Sequence, residues 1–326
     1  MRKASLVTLL LLGLALYPLF AKTALYPLFA KTAKIKNVGK APNFMALSQK
    51  GDLLYVTNYS SEELAVIDLA EGRVIKRAYV GDNPLGIVLS VDGERAYVCN
   101  RSTGLISVVD LKDVRITDSL KIGGAPASLA ISPRGHRLYV ANLGKGQHGT
   151  LDAIDLSTGK VVKSIDAVFR PIAVAVAPNG RTIYVANGGG QTVTIIDDEK
   201  LVARGSIEVG EGPDGLAISP DGTRLYVAVS DAGELAVIDL QTEKLLVSIP
   251  VGKKPFGMTV SPDGRFVYVA NSGSRTLSAL PTNLDPSRIR TFAVEKNPVG
   301  VVLSKDGHTA YVCNELSNSI SIVPLR

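Results

Sequence analysis

Apolar and polar residues fall along this chain in short runs that recur at a fixed distance. Leu85-Gly-Ile-Val-Leu-Ser90 and Ala96-Tyr-Val-Cys-Asn100 are nearly continuous apolar runs, as in strands covered on both faces, and Ile106-Ser-Val-Val-Asp110 alternates with period two. A fourth strand is expected over Val114 to Ile122. Between the first two runs lies an Asp-Gly turn (Asp92-Gly93, and likewise Asp221-Gly222, Asp263-Gly264 and Asp306-Gly307), where glycine supplies the positive φ of a tight hairpin.

The same unit is written seven times. It starts at Pro42, Pro84, Pro126, Pro171, Pro213, Pro255 and Pro298, at spacings of 42, 42, 45, 42, 42 and 43 residues. A tyrosine follows each proline by 13 residues: Tyr55, Tyr97, Tyr139, Tyr184, Tyr226, Tyr268 and Tyr311. A period in the forties with four short strands per unit implies an all-β, seven-bladed β-propeller with four-stranded antiparallel blades. The last unit has room for only three strands. Lys34-Ile-Lys-Asn-Val-Gly39 precedes Pro42 as Ile207-Glu-Val-Gly210 precedes Pro213, so the N-terminal strand is expected to complete the last blade and close the ring.

Departures from the repeat locate its irregular places. From the loop Asn to the Asp ending the third strand is ten residues in blades 1, 2 and 4, but thirteen in blade 3, which places an insertion in Leu143–Gly149. Blade 5 has Val229 for the Asn. Blades 6 and 7 replace the Asp with Pro281 and Pro324, and blade 6 has an irregular outer connection over 281–289.

Met1-Arg-Lys3 and the apolar run from Ala4 to Phe20 read as a secretory leader, residues 1–21, cut after Ala21. An uncleaved anchor is the alternative and would be the one link to a membrane. Residues 22–33 form a linker in which residues 15–23 are repeated unchanged as 24–32, giving a second possible cut after Ala30; no functional reading attaches to this duplication. Residues 34–326 are the propeller, expected to be exported to the periplasm or cell surface. The formal charge of +6 falls to +4 without Arg2 and Lys3, too little to argue for nucleic acid, and no aromatic platform accompanies the basic residues. Cys99 and Cys313 share one repeat position in blades 2 and 7, with Thr or Ala elsewhere, so both are expected as buried free thiols.

Leu138-Tyr-Val-Ala-Asn142, Ile183-Tyr-Val-Ala-Asn187 and their counterparts, with the upstream Ser-Pro-Asp-Gly turns, resemble the Tyr-Val-Thr-Asn (YVTN) β-propeller repeat family. The resemblance covers residues 34–326. It implies the fold and an exported surface or envelope protein; related seven-bladed rings include lactonase-like enzymes and subunits of amine dehydrogenases. The motif residues carry over as scaffold, not as an active site.

The loops joining strands two and three share a face with the blade-to-blade connections, and this top face is where a ligand is expected. The residue after each proline is mostly apolar, with Asn43 and Asp214 the exceptions. His136 and His308 lie on the opposite face in separate blades, leaving His148 alone on the top loops, so neither a metal site nor a Ser-His-Asp set assembles. The strongest candidate is the top-face sector between blades 3 and 4: Lys145 and His148 from the insertion, Arg170 from the connection, and Gly188, Gly189 and Gln191 from the next loop. Glycines admit close approach to backbone N–H groups, and Arg grips an anion bidentately. Asp214 and Lys254 complete the candidate set. The loop asparagines are expected to cap their own turns. The function expected is a monomeric binding or scaffold propeller holding an envelope protein or a small anionic ligand, with no cofactor and no catalytic set. The alternatives are a lactonase-like hydrolase, using His148 with Arg170, and a non-redox docking subunit of an electron-transfer complex.

Overall fold

The computed structural model describes residues 32–145 and 148–325, with Lys145, Ala167 and Val168 described by their backbone alone. The expected leader and the duplicated nonapeptide lie outside the described residues, apart from Thr32.

Among the described residues the strands form seven four-stranded antiparallel sheets. In blade 1 the strands are Pro42–Leu47, Leu53–Asn58, Glu63–Asp68 and Arg73–Tyr79, ordered from the channel outward. Inner strands of successive blades pack side by side, and Pro298–Leu303 of blade 7 meets Pro42–Leu47 of blade 1. Blade 7 takes its fourth strand from the other end of the chain. Ala33–Lys36 pairs antiparallel with Ser319–Pro324, Ile35 standing opposite Ile320. An exposed ion pair, Lys34 Nζ to Glu295 Oε1 at 2.5 Å, ties that strand to the preceding connection.

The core is a set of wedges between blades. Each repeat tyrosine packs on the following blade: Tyr139 lies with Val174 and Ile183 of blade 4, and Tyr311 with Leu54 and Val56 of blade 1. All seven are buried. Burial of aromatic and aliphatic area at these seams is the main stabilising term, at about 25 cal/mol per Å2. The residue two places after the tyrosine is small and fully buried, including Cys99 and Cys313, which are free thiols held neutral by burial.

Where the connections meet the top loops, a backbone hydrogen bond recurs in every blade. Tyr59 N–H donates to Ala41 C=O at 2.9 Å, and Gly188 N–H to Arg170 C=O at 3.0 Å. The acceptor is the residue before the blade's first proline. In six of the seven blades that residue has a left-handed backbone: Ala41, Asn83, Arg170, Gly212, Lys254 and Asn297. The fixed proline and this bond hold a conformation that non-glycine residues otherwise avoid.

The loop asparagines do something other than cap their own turns. They are buried and reach sideways: Asn100 Nδ2 donates to Ser107 Oγ at 2.8 Å, Asn187 to Thr194 Oγ1 at 2.8 Å, and Asn314 to Ser321 Oγ at 2.9 Å. In three of them the carbonyl oxygen also accepts from the incoming connection: Ala125 N–H donates to Asn142 Oδ1 at 2.8 Å, Phe169 N–H to Asn187 Oδ1 at 3.2 Å and Gly252 N–H to Asn271 Oδ1 at 3.2 Å, whereas the buried Oδ1 atoms of Asn58, Asn100 and Asn314 have no partner among the described residues. Asn142 alone also accepts from its own turn, from Gly144 N–H at 3.3 Å. The residue is strand-to-connection glue because its side chain points into the sheet and away from the turn.

Outer edges are protected against pairing with other chains. In blades 1 to 5 a one-residue bulge interrupts the outer strand, as between Val237 and Ile238 opposite Val247 and Leu245. Blades 6 and 7 end in strands of only four residues, Arg290–Ala293 and Ala33–Lys36. The insertion in blade 3 lengthens a hairpin, Arg137–Lys145 with His148–Asp155.

The connection before blade 2 passes so close to Asn100 that a Cβ on Gly81, at φ +116°, would overlap the Asn100 side chain. Gly81→Ala is expected to destabilise the ring by roughly 2–4 kcal/mol, through a strained φ and a core overlap. Urea titration checks it. Adding Asn100→Ala should recover part of the loss, and a single variant within about 0.5 kcal/mol of the parent would contradict this packing.

Candidate functional site at the mouth of the channel

Every inner strand begins with a register shift just after its proline, as between Pro126 and Ser128 or Pro255 and Met258. Strict alternation is broken there, so successive side chains turn toward the channel. Glycines two places after the proline bring neighbouring inner strands together: a Cβ on Gly86 would lie 2.9 Å from Ala127 O, and one on Gly300 2.5 Å from Asn43 O.

The central cavity holds about 120 Å3. The side chains that line it are mainly apolar, among them Phe44, Ile172, Leu216, Phe256, Met258 and Val301, and polar atoms make up nearly half of the exposed wall. Phe44 and Phe256 approach to 6.3 Å between ring centroids at 51°. One ionisable side chain lines it among the described residues, Asp214. Burial in this mouth pushes the Asp214 carboxyl above the usual carboxylate range. A hydrogen bond from Ser230 opposes the shift, Asp231 adds to it, and Arg170 opposes it. No salt bridge to Asp214 occurs among the described residues.

Gly188 lies against Asp214 and Gly189 against Arg170. A Cβ on Gly188 would stand 3.0 Å from an Asp214 carboxylate oxygen and would overlap Ile172, while one on Gly189 would stand 2.9 Å from Arg170 Cβ and from Phe169 Cδ1. Arg170 is exposed on the rim, and Asp214 is half-buried below it. The arrangement can seat an apolar group with a hydrogen-bond-donating or cationic end at Asp214, and can meet an anionic group at Arg170.

Four of the expected residues therefore converge: Arg170, Gly188, Gly189 and Asp214. The others are placed elsewhere. His148 stands opposite Phe169 in the hairpin and packs edge-on against its ring, with centroids at 6.4 Å and 85°. This places His148 opposite the residue that precedes Arg170. Gln191 is exposed and donates to Glu211 Oε1 at 3.3 Å. Lys254 is exposed on the connection before blade 6, its carbonyl accepting from Ser272 Oγ at 2.9 Å. Lys145 ends the lengthened strand. Asn43 is buried and is absent from the lining of the cavity. Phe44, Met258, Leu216 and Val301 escaped the sequence reading because it counted one channel-facing residue per proline. Among the described residues no group of three or more His, Cys, Asp or Glu could hold a metal ion.

The molecule is thus a seven-bladed β-propeller whose mouth carries a carboxyl group among apolar side chains. No family model matches the chain, and no curated protein matches it. Among solved structures it is similar to a chain titled Kuenenia stuttgartiensis hydrazine synthase, at 22% identity and a TM-score of 0.79, over 87% of this chain and 96% of that one. Matches extend to 1760 chains, and at this identity the likeness is one of fold.

The raised Asp214 carboxyl has a signed consequence. Its neutral form is favoured in the fold, so its contribution to stability is present below the ordinary carboxylate range and is lost as pH rises through its own raised value. Asp214→Asn, which keeps an acceptor for Ser230, should melt higher than the parent at pH 7. The gap should shrink toward pH 3. A parent that melts higher than the variant at pH 7 would show that Asp214 is compensated.

Proposed function

We propose that this chain is an exported, non-enzymatic binding or scaffold propeller of the cell envelope, of the YVTN-repeat type, which holds a protein or small ligand at the mouth around Asp214 and Arg170. The observation that carries this reading is Asp214 itself: a carboxyl group among apolar side chains, with no salt bridge among the described residues, on a rigid ring. A half-buried carboxyl whose ionised form is disfavoured gains from an incoming hydrogen-bond donor or cation. The basic and apolar leader of residues 1–21 supports export. The repeated Tyr-Val-x-Asn segments support the family. The lactonase-like alternative would use His148, which packs edge-on against the Phe169 ring, together with Arg170. The docking-subunit alternative draws on the likeness to a chain of hydrazine synthase, at the level of fold.

The test is native mass spectrometry of the full-length chain recovered gently from the envelope fraction, beside Asp214→Asn, Arg170→Ala and the opposite-face control Lys50→Ala. Bound mass is expected on the parent and on Lys50→Ala. It should fall about tenfold or more in occupancy-derived affinity, worth roughly 1.4 kcal/mol, in the two mouth variants. A bare parent chain, or equal occupancy in all four proteins, would sink the proposal.

A further inference from the structure

The face opposite the mouth carries its own asymmetry. Each blade has a turn there between its first two strands, and five of the seven turns hold an aspartate: Asp52, Asp92, Asp221, Asp263 and Asp306. Each accepts from the serine that opens its turn. These bonds hold Asp92, Asp221 and Asp263 below the usual carboxylate range, and basic neighbours such as Arg95, Arg224 and Arg265 in the same turns stand beside an acid.

Blades 3 and 4 break the rule. Blade 3 has Ser132-Pro-Arg-Gly-His136 and blade 4 has Ala177-Pro-Asn-Gly-Arg181, so Arg134 stands where an aspartate is usual and Arg181 follows the next turn's glycine. Ser132 Oγ, with no turn acid to serve, lies 3.3 Å from His136 Nδ1. The two turns abut: a Cβ on Gly180 would lie 3.5 Å from Pro133 Cδ. Between them is a cleft of about 470 Å3. Arg137 forms its inner wall, fixed by Asp198, to whose backbone carbonyl it donates at 2.8 Å and whose carboxylate lies 3.5 Å away. The Tyr139 hydroxyl also donates to that carboxylate. Asp198 is thereby engaged from within. Arg134 and Arg181 remain exposed, with no ion pair among the described residues, and Glu199 is the one other acid on the lining.

We infer that this cleft is a second binding site, one that takes a phosphate-type oxyanion between the guanidinium groups of Arg134 and Arg181. Planar guanidinium forks match tetrahedral oxyanions bidentately, and the cleft leaves room for a substituent on the anion. The site is independent of the mouth, and its test does not depend on what the mouth binds.

The probe is sodium phosphate, titrated calorimetrically into the full-length protein against sodium chloride of equal ionic strength. Vesicles containing phosphatidylglycerol form a second arm. Arg134→Asp, which restores the residue usual at that turn, and Arg181→Ala are the variants, with Lys50→Ala in the equivalent turn of blade 1 as a same-face control and circular dichroism to verify folding. Phosphate binding beyond chloride, weakened at least tenfold in both arginine variants and unchanged in Lys50→Ala, is the expected result. Binding to vesicles alone, lost in the same variants, would assign the oxyanion to a lipid headgroup and still support the site. Absence of binding in both arms, or binding that survives both variants, would overturn it.

Discussion

Each blade depends on its neighbour for a hydrophobic partner. The repeat tyrosine leaves its own sheet and lies on the next, so no blade has a complete core by itself. Four strands of six residues cannot bury two faces, and the ring is the smallest arrangement in which every face is covered. Closure is therefore a requirement of packing before it is a matter of shape. The swap at blade 7, where the first strand of the chain completes the last sheet, follows from the same need.

That constraint also builds the mouth. Seven blades meeting side by side force their inner strands together, and glycines such as Gly86 and Gly300 allow it. The approach leaves little central space, and a bulge at the start of each inner strand turns extra side chains into it. Asp214 stands in that crowded setting because its blade has an aspartate where others have Phe256 or Ile172. Its raised pKa is a property of the ring and not of its own sequence neighbours, Asp231 and Ser230 being contributed by the loop beyond the next strand.

What could be read from the chain alone follows the range of the interactions involved. Blade number, strand order, the closing strand and the free cysteines were all legible, because a repeat multiplies a weak local signal seven times. Arg170, Gly188, Gly189 and Asp214 were legible as candidates because connections and loops can be assigned to a face by counting. The grouping of Arg170 with Gly188 and Gly189 was legible too; that Asp214 joins them was not, nor were the side-chain partners of His148 and Gln191. Those depend on side-chain direction after a bulge, and period-two counting fails there. The asparagines were misread for a related reason: the turn-capping habit of Asn is local, whereas the serine or threonine that engages Asn187, Asn271 and Asn314 is seven residues away on the next strand.

The pairing of Ile35 with Ile320 has a consequence for how the molecule comes into being. It joins the strand that precedes the first repeat to the last strand of the seventh, so the contact that completes the last sheet spans all seven repeats. Contacts of that kind form late, after long-range loop entropy has been overcome. During synthesis the first strand waits, unpaired, while six blades are laid down, and it can pair only once Ser319–Pro324 has been made. Until then the nascent chain is an open arc with unpaired strand edges, a state suited to capture by chaperones, and the finished ring is a property only of the whole chain.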